Sequence, residues 1–295
     1  MWLTYDSSMP TLIQSSHLFP SNLRTIKPRV KQLYVKGQSI ENLGSLDRSI
    51  TIVGSRKMTR YGAQVIEKIV PVLVSAGIVI ISGFMYGVDQ YVHQVCLDNG
   101  GFTIAVLGWG IDWPVLPVEV ALYRKIEKEG LIVSEYEKDT KPQLWMFPAR
   151  DRVMAGLAPA TLVIEAANRS GSLITAKFAK RYKRKLFSVP GPITSAVSSG
   201  TNGLIKSRQA IMVESAQDIL DVMNWPNISK KVAASQQSSQ ILALLENEPL
   251  LMDEIVVRLK KSPEQIGAEL SILQLQGQVF EQEGKYYLNQ NVVQD

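Results

Sequence analysis

The chain has 295 residues, of which 45% are hydrophobic and 20% are charged. This composition is ordinary for a globular protein with a sizeable core, and it excludes wholesale disorder. One cysteine and two histidines exclude an internal disulfide, a cysteine-based zinc cage and a His-rich metal site, and we expect no cofactor. The N-terminus lacks the pattern of a secretory signal, and the longest apolar stretch, Ile69–Ile81, is too short to span a bilayer. We therefore expect a cytoplasmic setting and no membrane partner.

The net charge of +5 is unevenly distributed along the sequence. Residues 1–229 hold 26 Lys/Arg against 18 Asp/Glu, a balance of +8, whereas residues 230–295 hold 6 against 9, a balance of −3. The longer part is therefore the candidate for a polyanionic partner.

Strands and helices are predicted to alternate through most of this longer part. Residues 1–30 show no clear period and predict an irregular lead-in. Over 31–223, short apolar runs that end in glycine alternate with segments of helical spacing. The predicted strands are 33–37, 50–53, 78–81, 102–107, 131–133, 161–165 and 186–189, and the predicted helices are 59–76, 87–97, 119–129 and 172–182. This alternation predicts an α/β fold, a parallel sheet covered by helices on both faces.

The C-terminal part has a different pattern. Residues 224–239 are rich in Asn, Ser and Gln and predict a linker, followed by a winged-helix domain over 240–290. Its predicted elements are helices at 240–246, 252–259 and 262–276 and strands at 279–282 and 285–288. Helix-turn-helix DNA readers have this order of elements. The third helix has no Lys or Arg, which favours a protein-contact or regulatory role over phosphate tracking.

Four glycine-rich turns lie at the carboxyl ends of predicted strands, where open α/β sheets bind ligands. They are Gly54-Ser55-Arg56, Ser82-Gly83, Gly108-Trp109-Gly110 and Ser170-Gly171-Ser172. Glycine lets the backbone approach a phosphate, and the helix that follows offers unpaired amides. One such turn is usually only a tight connection, but four of them favour an extended anion-binding groove.

Basic residues adjoin these turns. Arg56 opens the loop after a strand, where a guanidinium can bind two phosphate oxygens, although a solvated surface arginine is the simpler interpretation. The segment Phe147–Arg152 places Arg150 and Arg152 beside an aromatic ring, as a base-tolerant single-strand site requires. An equal alternative is that Phe147 belongs to the core and that Asp151 pairs with one of the arginines.

Three further features favour a structural interpretation. The basic run Lys177–Lys185 is typical of a solvated helix face, with a flanking contact to a DNA backbone as the alternative. Asp89 and His93, four residues apart on one predicted helix, suit a hydrogen bond to a neighbouring loop better than catalysis, since no nucleophile lies near them in sequence. Loop aromatics such as Trp145 either stack on a ligand or cover the core.

A series of short motifs follows one another along the chain. They are VGSR (53–56), SG–GVD–H (82–93), TIAVLGWGID (103–112), LIVSEY (131–136), FPARDRVMAGLA (147–158), LVIEA (162–166), SGSLITAKFA (170–179), SVPGPI (188–193) and GTNGLI (200–205). Together they resemble the DNA-processing protein A (DprA/Smf) family. The resemblance implies an extended Rossmann-like fold with a small C-terminal winged-helix domain, a homodimer, and single-stranded DNA binding with little sequence preference. It also implies a non-enzymatic recombination mediator that protects incoming DNA and loads the RecA recombinase during natural transformation.

The resemblance also implies where the nucleic acid binds. Arg56 would hold a phosphate, Arg150 and Arg152 would support the strand or the groove wall, and Lys206 would be an outer contact. The complete predicted nucleic-acid-binding set is Gly54, Ser55, Arg56, Ser82, Gly83, Gly108, Phe147, Arg150, Arg152, Ser170, Gly171, Ser172 and Lys206. No catalytic and no metal-binding residue is predicted.

The sequence departs from the family pattern at several positions. Met85 stands where alanine is usual, Asp151 where asparagine is usual, and Gln209 where glycine is usual, and the family's Tyr-Pro element is Trp113-Pro114 here. Asp151 adds negative charge beside the expected path of the strand.

Two other functions stay open. A nucleotide-binding or nucleoside-monophosphate-hydrolysing Rossmann-like protein would share the glycine turns that suit phosphate binding. Such enzymes resemble a family with a Pro-Gly-Gly-Gly-X-Gly-Thr loop, and residues 167–172 lack that loop. A protein-binding adaptor would instead use the acidic winged-helix part. Removal of the residues from Lys230 onward separates the adaptor from the DNA-binding hypothesis.

Overall fold

The chain divides into two units, Met1–Pro226 and Asn227–Asp295. The computed structural model describes residues 11–226, 238–275 and 277–289. The predicted limits of the core, linker and winged-helix domain stay predictions, because much of the linker, 227–237, lies outside the described residues. Among the helices of the described residues, none is both long enough and apolar enough to cross a bilayer.

Strands and helices alternate through most of the first unit. Its strands are β1 (Thr11–Ile13), β2 (Gln32–Gly37), β3 (Ser49–Val53), β4 (Val79–Ser82), β5 (Thr103–Leu107), β6 (Leu131–Ser134), β7 (Ala160–Val163), β8 (Lys185–Ser188) and β9 (Ile211–Met212). Its helices are α1 (Ser21–Arg24), α2 (Arg60–Ser75), α3 (Val88–Asp98), α4 (Val120–Glu129), α5 (Met146–Leu157), α6 (Ser172–Arg181), α7 (Ser199–Lys206) and α8 (Ala216–Met223).

The nine strands form one sheet in the order β1-β2-β6-β5-β4-β3-β7-β8-β9. All neighbours from β6 to β9 are parallel, whereas β2 pairs antiparallel with both β1 and β6. The predicted extended Rossmann-like sheet is therefore confirmed. From β3 the chain first adds β4, β5 and β6 on one side and then β7, β8 and β9 on the other, so the topological switch lies between β3 and β7.

Both faces of the sheet are covered, as continuous apolar strands require. Every residue of β3 and β5 is buried. Along β3 the side chains alternate: Ile52 lies in a cluster with residues of α2, α3 and α8, and Val53 lies in a cluster with residues of α5 and α6. The helices of the two faces therefore fix the strand ends at which any ligand must bind.

One prediction for the first unit was wrong, and several of its helices were not predicted. The described part of the lead-in, 11–30, is not irregular, because β1 pairs with β2 and the side chains of Leu12, Phe19 and Leu23 are buried in the core. No helix was predicted at α1, α7 or α8, and none at α5. Most of its residues are buried, including Arg150 and Asp151, so it lacks the polar face that marks a surface helix.

The second unit contains three helices and a small antiparallel sheet. The helices are α9 (Ser238–Leu245), α10 (Met252–Leu259) and α11 (Pro263–Leu275), and the strands are β10 (Leu250–Leu251), β11 (Val279–Gln282) and β12 (Lys285–Leu288). The sheet order is β10-β12-β11, and residues such as Ile241, Ile255 and Ile266 form a separate core. The predicted winged-helix arrangement is confirmed, with β10 as an additional strand.

Candidate nucleic-acid interface

A cavity of about 550 Å³ opens at the carboxyl ends of β3 and β7. Loops that leave the two strands at a topological switch diverge, and the crevice between them is where open α/β sheets bind ligands. We call this cavity the central groove. Its walls are the loop after β3 (54–57), one face of α5 with the residues before it (144–154), and the turn before α6 (169–172).

The loop after β3 carries Arg56 at the groove. Gly54 lets this loop pack on α3, because a Cβ there would lie 2.6 Å from Val88 Cγ2. The exposed Arg56 side chain places its guanidinium carbon 5.6 Å from the centroid of the Phe147 ring and 5.9 Å from that of Tyr86. These cation–π contacts orient the guanidinium. None of the ion pairs among the described residues involves Arg56, so its N–H groups are available to an anion.

The first turn of α6 forms the opposite wall. Gly171 precedes the helix, and no side chain caps it. The hydroxyls of Ser170 and Ser172 lie 2.8 Å apart, and both residues line the groove together with Gly171. The amides of Leu173 and Ile174 donate to the carbonyls of Ser170 (3.2 Å) and Gly171 (2.8 Å), so the amides of Gly171 and Ser172 are the ones open to a ligand at the positive end of the helix dipole. This wall therefore offers amide and hydroxyl donors to an anion.

The start of α2, at the same sheet edge, is closed by the protein itself. Glu165 is buried two residues after the end of β7, and its carboxylate accepts hydrogen bonds from the Thr59 backbone amide (2.9 Å) and hydroxyl (2.5 Å). Thr59 in turn caps α2 by accepting from the Gly62 amide at 3.3 Å. The position that would bind a phosphate at α2 is therefore occupied by an internal carboxylate.

The floor of the groove is a buried charge cluster. Arg150 is only 4% exposed, and its Nη1 donates to the Val106 carbonyl at 3.0 Å. Its Nε lies 3.1 Å from Asp151 Oδ1, and its Nη1 lies 4.0 Å from Asp89 Oδ2. A Cβ at Gly83 would collide with the Arg150 guanidinium and the Asp89 carboxylate. The turn after β4 therefore needs glycine to leave room for this cluster.

The two carboxylates of the cluster are held at raised pKa values. Burial raises the pKa of Asp89 to about 6, against the opposing effect of Arg150 and with a further increase from Asp151. Burial likewise raises the pKa of Asp151, while Arg150 and Arg56 oppose the change. Protonation of either carboxylate makes the floor of the groove more positive.

His93 is a structural residue. Its ring is fully buried, with Nε2 2.6 Å from the Gly83 carbonyl oxygen and Nδ1 2.7 Å from Thr103 Oγ1. Burial lowers the pKa of the imidazole to about 4. The expected hydrogen bond between this helix and a neighbouring loop is confirmed, and Asp89 turns toward Arg150. Within the described part of the chain, no three His, Cys, Asp or Glu side chains are grouped to hold a metal ion.

The structure brings together part of the predicted binding set. The residues that line the central groove are Gly54, Ser55, Arg56, Phe147, Arg150, Ser170, Gly171 and Ser172. Their role in binding stays a prediction.

Five members of the predicted set do not line the groove. The Ser82 hydroxyl is fully buried and donates to the Ile52 carbonyl at 2.6 Å. Gly83 and Gly108 are buried, the latter beside Phe147. Arg152 pairs with Glu135 at 2.7 Å, and Lys206 is the exposed last residue of α7.

Other residues of the groove were missed or weighed too lightly. Lys57 and Arg169 line it and are both exposed, and Met85 lines it from the turn after β4. Arg169 directly precedes the Ser170-Gly171-Ser172 turn, so the turn itself was the available signal. The basic run 177–185 is mainly exposed, as expected for a solvated face, but Arg184 donates to the carbonyls of Asn22 (3.1 Å) and Gly156 (3.0 Å).

Fold and groove define a class: an α/β protein with an anion-accepting crevice at its topological switch, followed by a winged-helix unit. The family model of DNA recombination-mediator protein A matches residues 11–224, and that of the DprA winged helix domain matches residues 229–285. The chain belongs to the DNA recombination-mediator protein A family.

Similar proteins agree with this assignment. Protein Smf of Synechocystis sp. is 32% identical over 275 residues, which cover 81% of this chain and 69% of that protein. The X-ray structure of DNA processing protein A from Streptococcus pneumoniae matches with a TM-score of 0.68 and 36% identity, over 73% of this chain and 74% of that one. DNA processing protein A from Helicobacter pylori, whose structure was described for its single-stranded DNA binding mode, matches with a TM-score of 0.65 and 29% identity, over 73% and 95% of the two chains. The chain spans about two thirds of the length of curated relatives such as those of Synechocystis sp. (69%) and Mycobacterium tuberculosis (64%).

Proposed function

We propose that the central groove binds the sugar–phosphate backbone of single-stranded DNA and that the chain acts as a recombination mediator on that DNA. One observation carries the proposal: the uncapped first turn of α6 and the unpaired guanidinium of Arg56 line the same cavity. Both are donors suited to phosphate oxygens. Family membership and the single-strand binding described for the H. pylori relative support the choice of ligand.

The donors of this groove recognise a backbone and not a base sequence. Backbone amides, serine hydroxyls and a guanidinium contact phosphates, which are the same for every base. Unpaired bases additionally find ring faces at Tyr86, which is 54% exposed, and at the half-buried Phe147. A duplex keeps its bases stacked inside and cannot use those rings. We therefore assign single strands, with little sequence preference, as the ligand.

Arg56→Ala tests the proposal. We expect it to weaken binding of a fluorescent oligothymidylate about tenfold and to lower the slope of log affinity against log salt by about one. Fluorescence anisotropy at several salt concentrations, with single- and double-stranded oligonucleotides, measures both quantities. Arg124→Ala is the matched control, because that arginine is exposed on α4 and pairs with Glu127 at 2.7 Å. Equal affinity of Arg56→Ala and the wild type at every salt concentration would remove the central groove from the binding site.

We extend the proposal to the role of the chain in recombination. A mediator bound to incoming DNA would act in the cytoplasm during natural transformation, as a homodimer, without catalysis, and would transfer the strand to RecA. Family membership supports these expectations. Mixing the purified chain with RecA and single-stranded DNA coated by a single-strand-binding protein tests the transfer, because RecA ATPase activity then starts only if the chain helps RecA onto the strand.

The alternative, hydrolysis of a nucleoside monophosphate, has one observation in its favour. Asp89 lines the cavity and has a pKa of about 6, a value suited to a general acid or base. The carboxylate is nevertheless engaged by Arg150, and Glu165 is bound to Thr59. Incubation with nucleoside monophosphates decides the matter: we expect no sustained release of free base, and continued turnover that Asp89→Asn abolishes would establish the alternative.

A further inference from the structure

A second cavity lies on the opposite face of α5. It has a volume of about 360 Å³ and is lined by the start of β2, the residues after β6 and three residues of or next to α5: Trp145, Ala149 and Arg152. The spacing of these three, four residues and then three, puts them on one side of a helix. Phe147, Arg150 and Met154 are spaced three residues and then four, which also puts them on one side of the helix, and they line the central groove. One helix therefore separates the two cavities, and we call the second one the Trp145 cavity.

Both cavities open at the same edge of the sheet. β2 runs antiparallel to β6, with Tyr34 opposite Ser134, so the beginning of β2 lies beside the carboxyl end of β6. The Trp145 cavity is built on these two chain ends, from Gln32 on one strand and Glu135 and Tyr136 after the other. A strand that follows the carboxyl edge and leaves the central groove past the start of α5 reaches this cavity next.

The Trp145 side chain is placed to stack on a base. It is 59% exposed, although tryptophan is a large apolar residue. Its indole Nε1 donates to Gln143 Oε1 at 2.8 Å, and its ring contacts Tyr136 edge-to-face, with centroids 5.8 Å apart and planes at 80°. These contacts hold the ring in place. An exposed, fixed indole is what single-strand binders use as a stacking platform.

The cavity also carries uncompensated positive charge. Arg152 and Glu135 form an ion pair at 2.7 Å and neutralise each other. Arg29 and Lys31 are exposed and line the same cavity, and neither belongs to an ion pair among the described residues. Two cations beside an exposed aromatic ring fit a phosphate backbone with an unstacked base.

We propose that the Trp145 cavity is a second single-strand subsite, in which a base stacks on Trp145 while Arg29 and Lys31 contact the adjoining phosphates. The inference rests on the function proposed for the central groove, and it adds a direction: the strand crosses the start of α5 and continues toward β2. A short oligonucleotide fills the central groove alone, and only a longer one engages both subsites.

Two lengths of oligothymidylate, about 6 and about 20 nucleotides, separate the subsites. With the longer probe we expect Trp145→Ala to weaken binding by roughly fivefold or more, and Trp145→Phe to restore most of the affinity because its ring still stacks. Arg29→Ala/Lys31→Ala should lower the salt slope by between about 1 and 2. With the shorter probe these variants should bind like the wild type. Circular dichroism and thermal unfolding of each variant show that it is folded.

Lys128→Ala/Lys185→Ala is the matched charge control. Both lysines are exposed, Lys128 near the end of α4 and Lys185 at the first position of β8, so they lie at the amino edge of the sheet. If this control lowers the salt slope as much as Arg29→Ala/Lys31→Ala does, the effect is general charge and the subsite is refuted. If the longer probe binds all Trp145 cavity variants like the wild type while Arg56→Ala weakens it, the subsite is wrong and the central groove stands. If the wild type binds neither probe, the proposed function itself fails.

Discussion

Two helices of the first unit begin at the same sheet edge, after the adjacent strands β3 and β7, yet their first turns differ. At α2 the Thr59 side chain caps the helix, and the buried Glu165 carboxylate binds Thr59. At α6 the preceding residue is Gly171, which has no side chain to cap the helix. The same backbone feature is therefore closed from within at one helix and left open at the other.

This difference indicates how the fold limits its own anion sites. An uncapped helix start attracts any anion, so a sheet with several helices offers several candidate phosphate sites. The internal carboxylate removes α2 from that set and stabilises the unit at the same time. The open start of α6 receives no stabilisation from a capping side chain. This is expected of a binding site in which the ligand supplies the missing hydrogen-bond acceptors.

Glu165→Gln removes the carboxylate that closes the start of α2, and we expect it to have the largest effect on stability of the variants considered. The amide keeps the size of the side chain but loses the charge that strengthens two hydrogen bonds and the interaction with the α2 dipole. We expect the free energy of unfolding to fall by about 2 kcal/mol. Urea denaturation measures the change, with the exposed Glu129→Gln as the control. An unchanged unfolding midpoint would show that the carboxylate contributes nothing as a cap.

Gly171→Asp would convert the open site into a closed one. Nothing lies within 4 Å of a Cβ placed on Gly171, so the side chain fits. A carboxylate in the first turn should raise stability by about 0.5 kcal/mol while it competes with phosphate, and we expect DNA affinity to fall by about tenfold. Gly171→Asn has the same size without the charge and should retain most of the affinity. If both variants bind like the wild type, the α6 start is not a phosphate site.

The charge cluster beneath the open site predicts a smaller, pH-dependent effect. The pKa of Asp89 is about 6, above the ordinary value for an aspartate. Asp89 is therefore ionised at neutral pH and becomes neutral as the pH falls through about 6, which leaves Arg150 less compensated. DNA affinity should rise severalfold when the pH is lowered from about 7.5 to about 5.5 at constant ionic strength. The same sign holds for stability: the contribution of neutral Asp89 is present at low pH and is lost as the pH rises through its folded-state pKa.

Two variants distinguish the contributions of Asp89 and of its neighbour Asp151 to this pH dependence. Arg150, Asp151 and Arg56 act on its pKa, and His93, with a pKa near 4, does not titrate in this range. Asp151→Asn should raise affinity at neutral pH and move the midpoint of the pH dependence lower, because a neighbouring negative charge is gone. Asp89→Asn should flatten the dependence. A pH profile identical in both variants and the wild type would place the titrating group elsewhere.

Most of the predicted residues that line the central groove lie in turns that carry their own sequence signal, and Phe147 and Arg150 come from the basic and aromatic segment of α5. Gly54-Ser55-Arg56 and Ser170-Gly171-Ser172 follow strands that the apolar runs mark clearly, and both turns line the groove. Arg152 lies outside the central groove because it points from the other side of α5, a helix that was not predicted. Residues two apart on a helix point about 200° apart, so Arg150 and Arg152 cannot share a face.

Other residues depend on partners that are distant in the sequence. Ser82 follows a glycine-turn pattern, but its hydroxyl bonds to the neighbouring strand at Ile52, 30 residues away. Glu165 belongs to a motif without an evident role, and its partner Thr59 lies 106 residues away. Such pairs follow from the strand order in the sheet, which the alternation of strands and helices does not determine. The fold class and the glycine turn before α6 were therefore accessible from sequence, whereas the closure of the α2 start by Glu165 was not.

Removal of the residues from Lys230 onward should have the smallest effect on binding. The central groove and the Trp145 cavity are built entirely from the first unit, which has its own core. The removed part carries a net charge of −3, and α11 has no Lys or Arg and pairs its Glu269 with Lys261 at 2.9 Å. We expect affinity for single-stranded DNA to stay within about twofold of the full chain, since only weak, screened charge repulsion is lost. Anisotropy on both chains measures this, and a loss of more than about tenfold would transfer the DNA-binding role to the winged-helix unit.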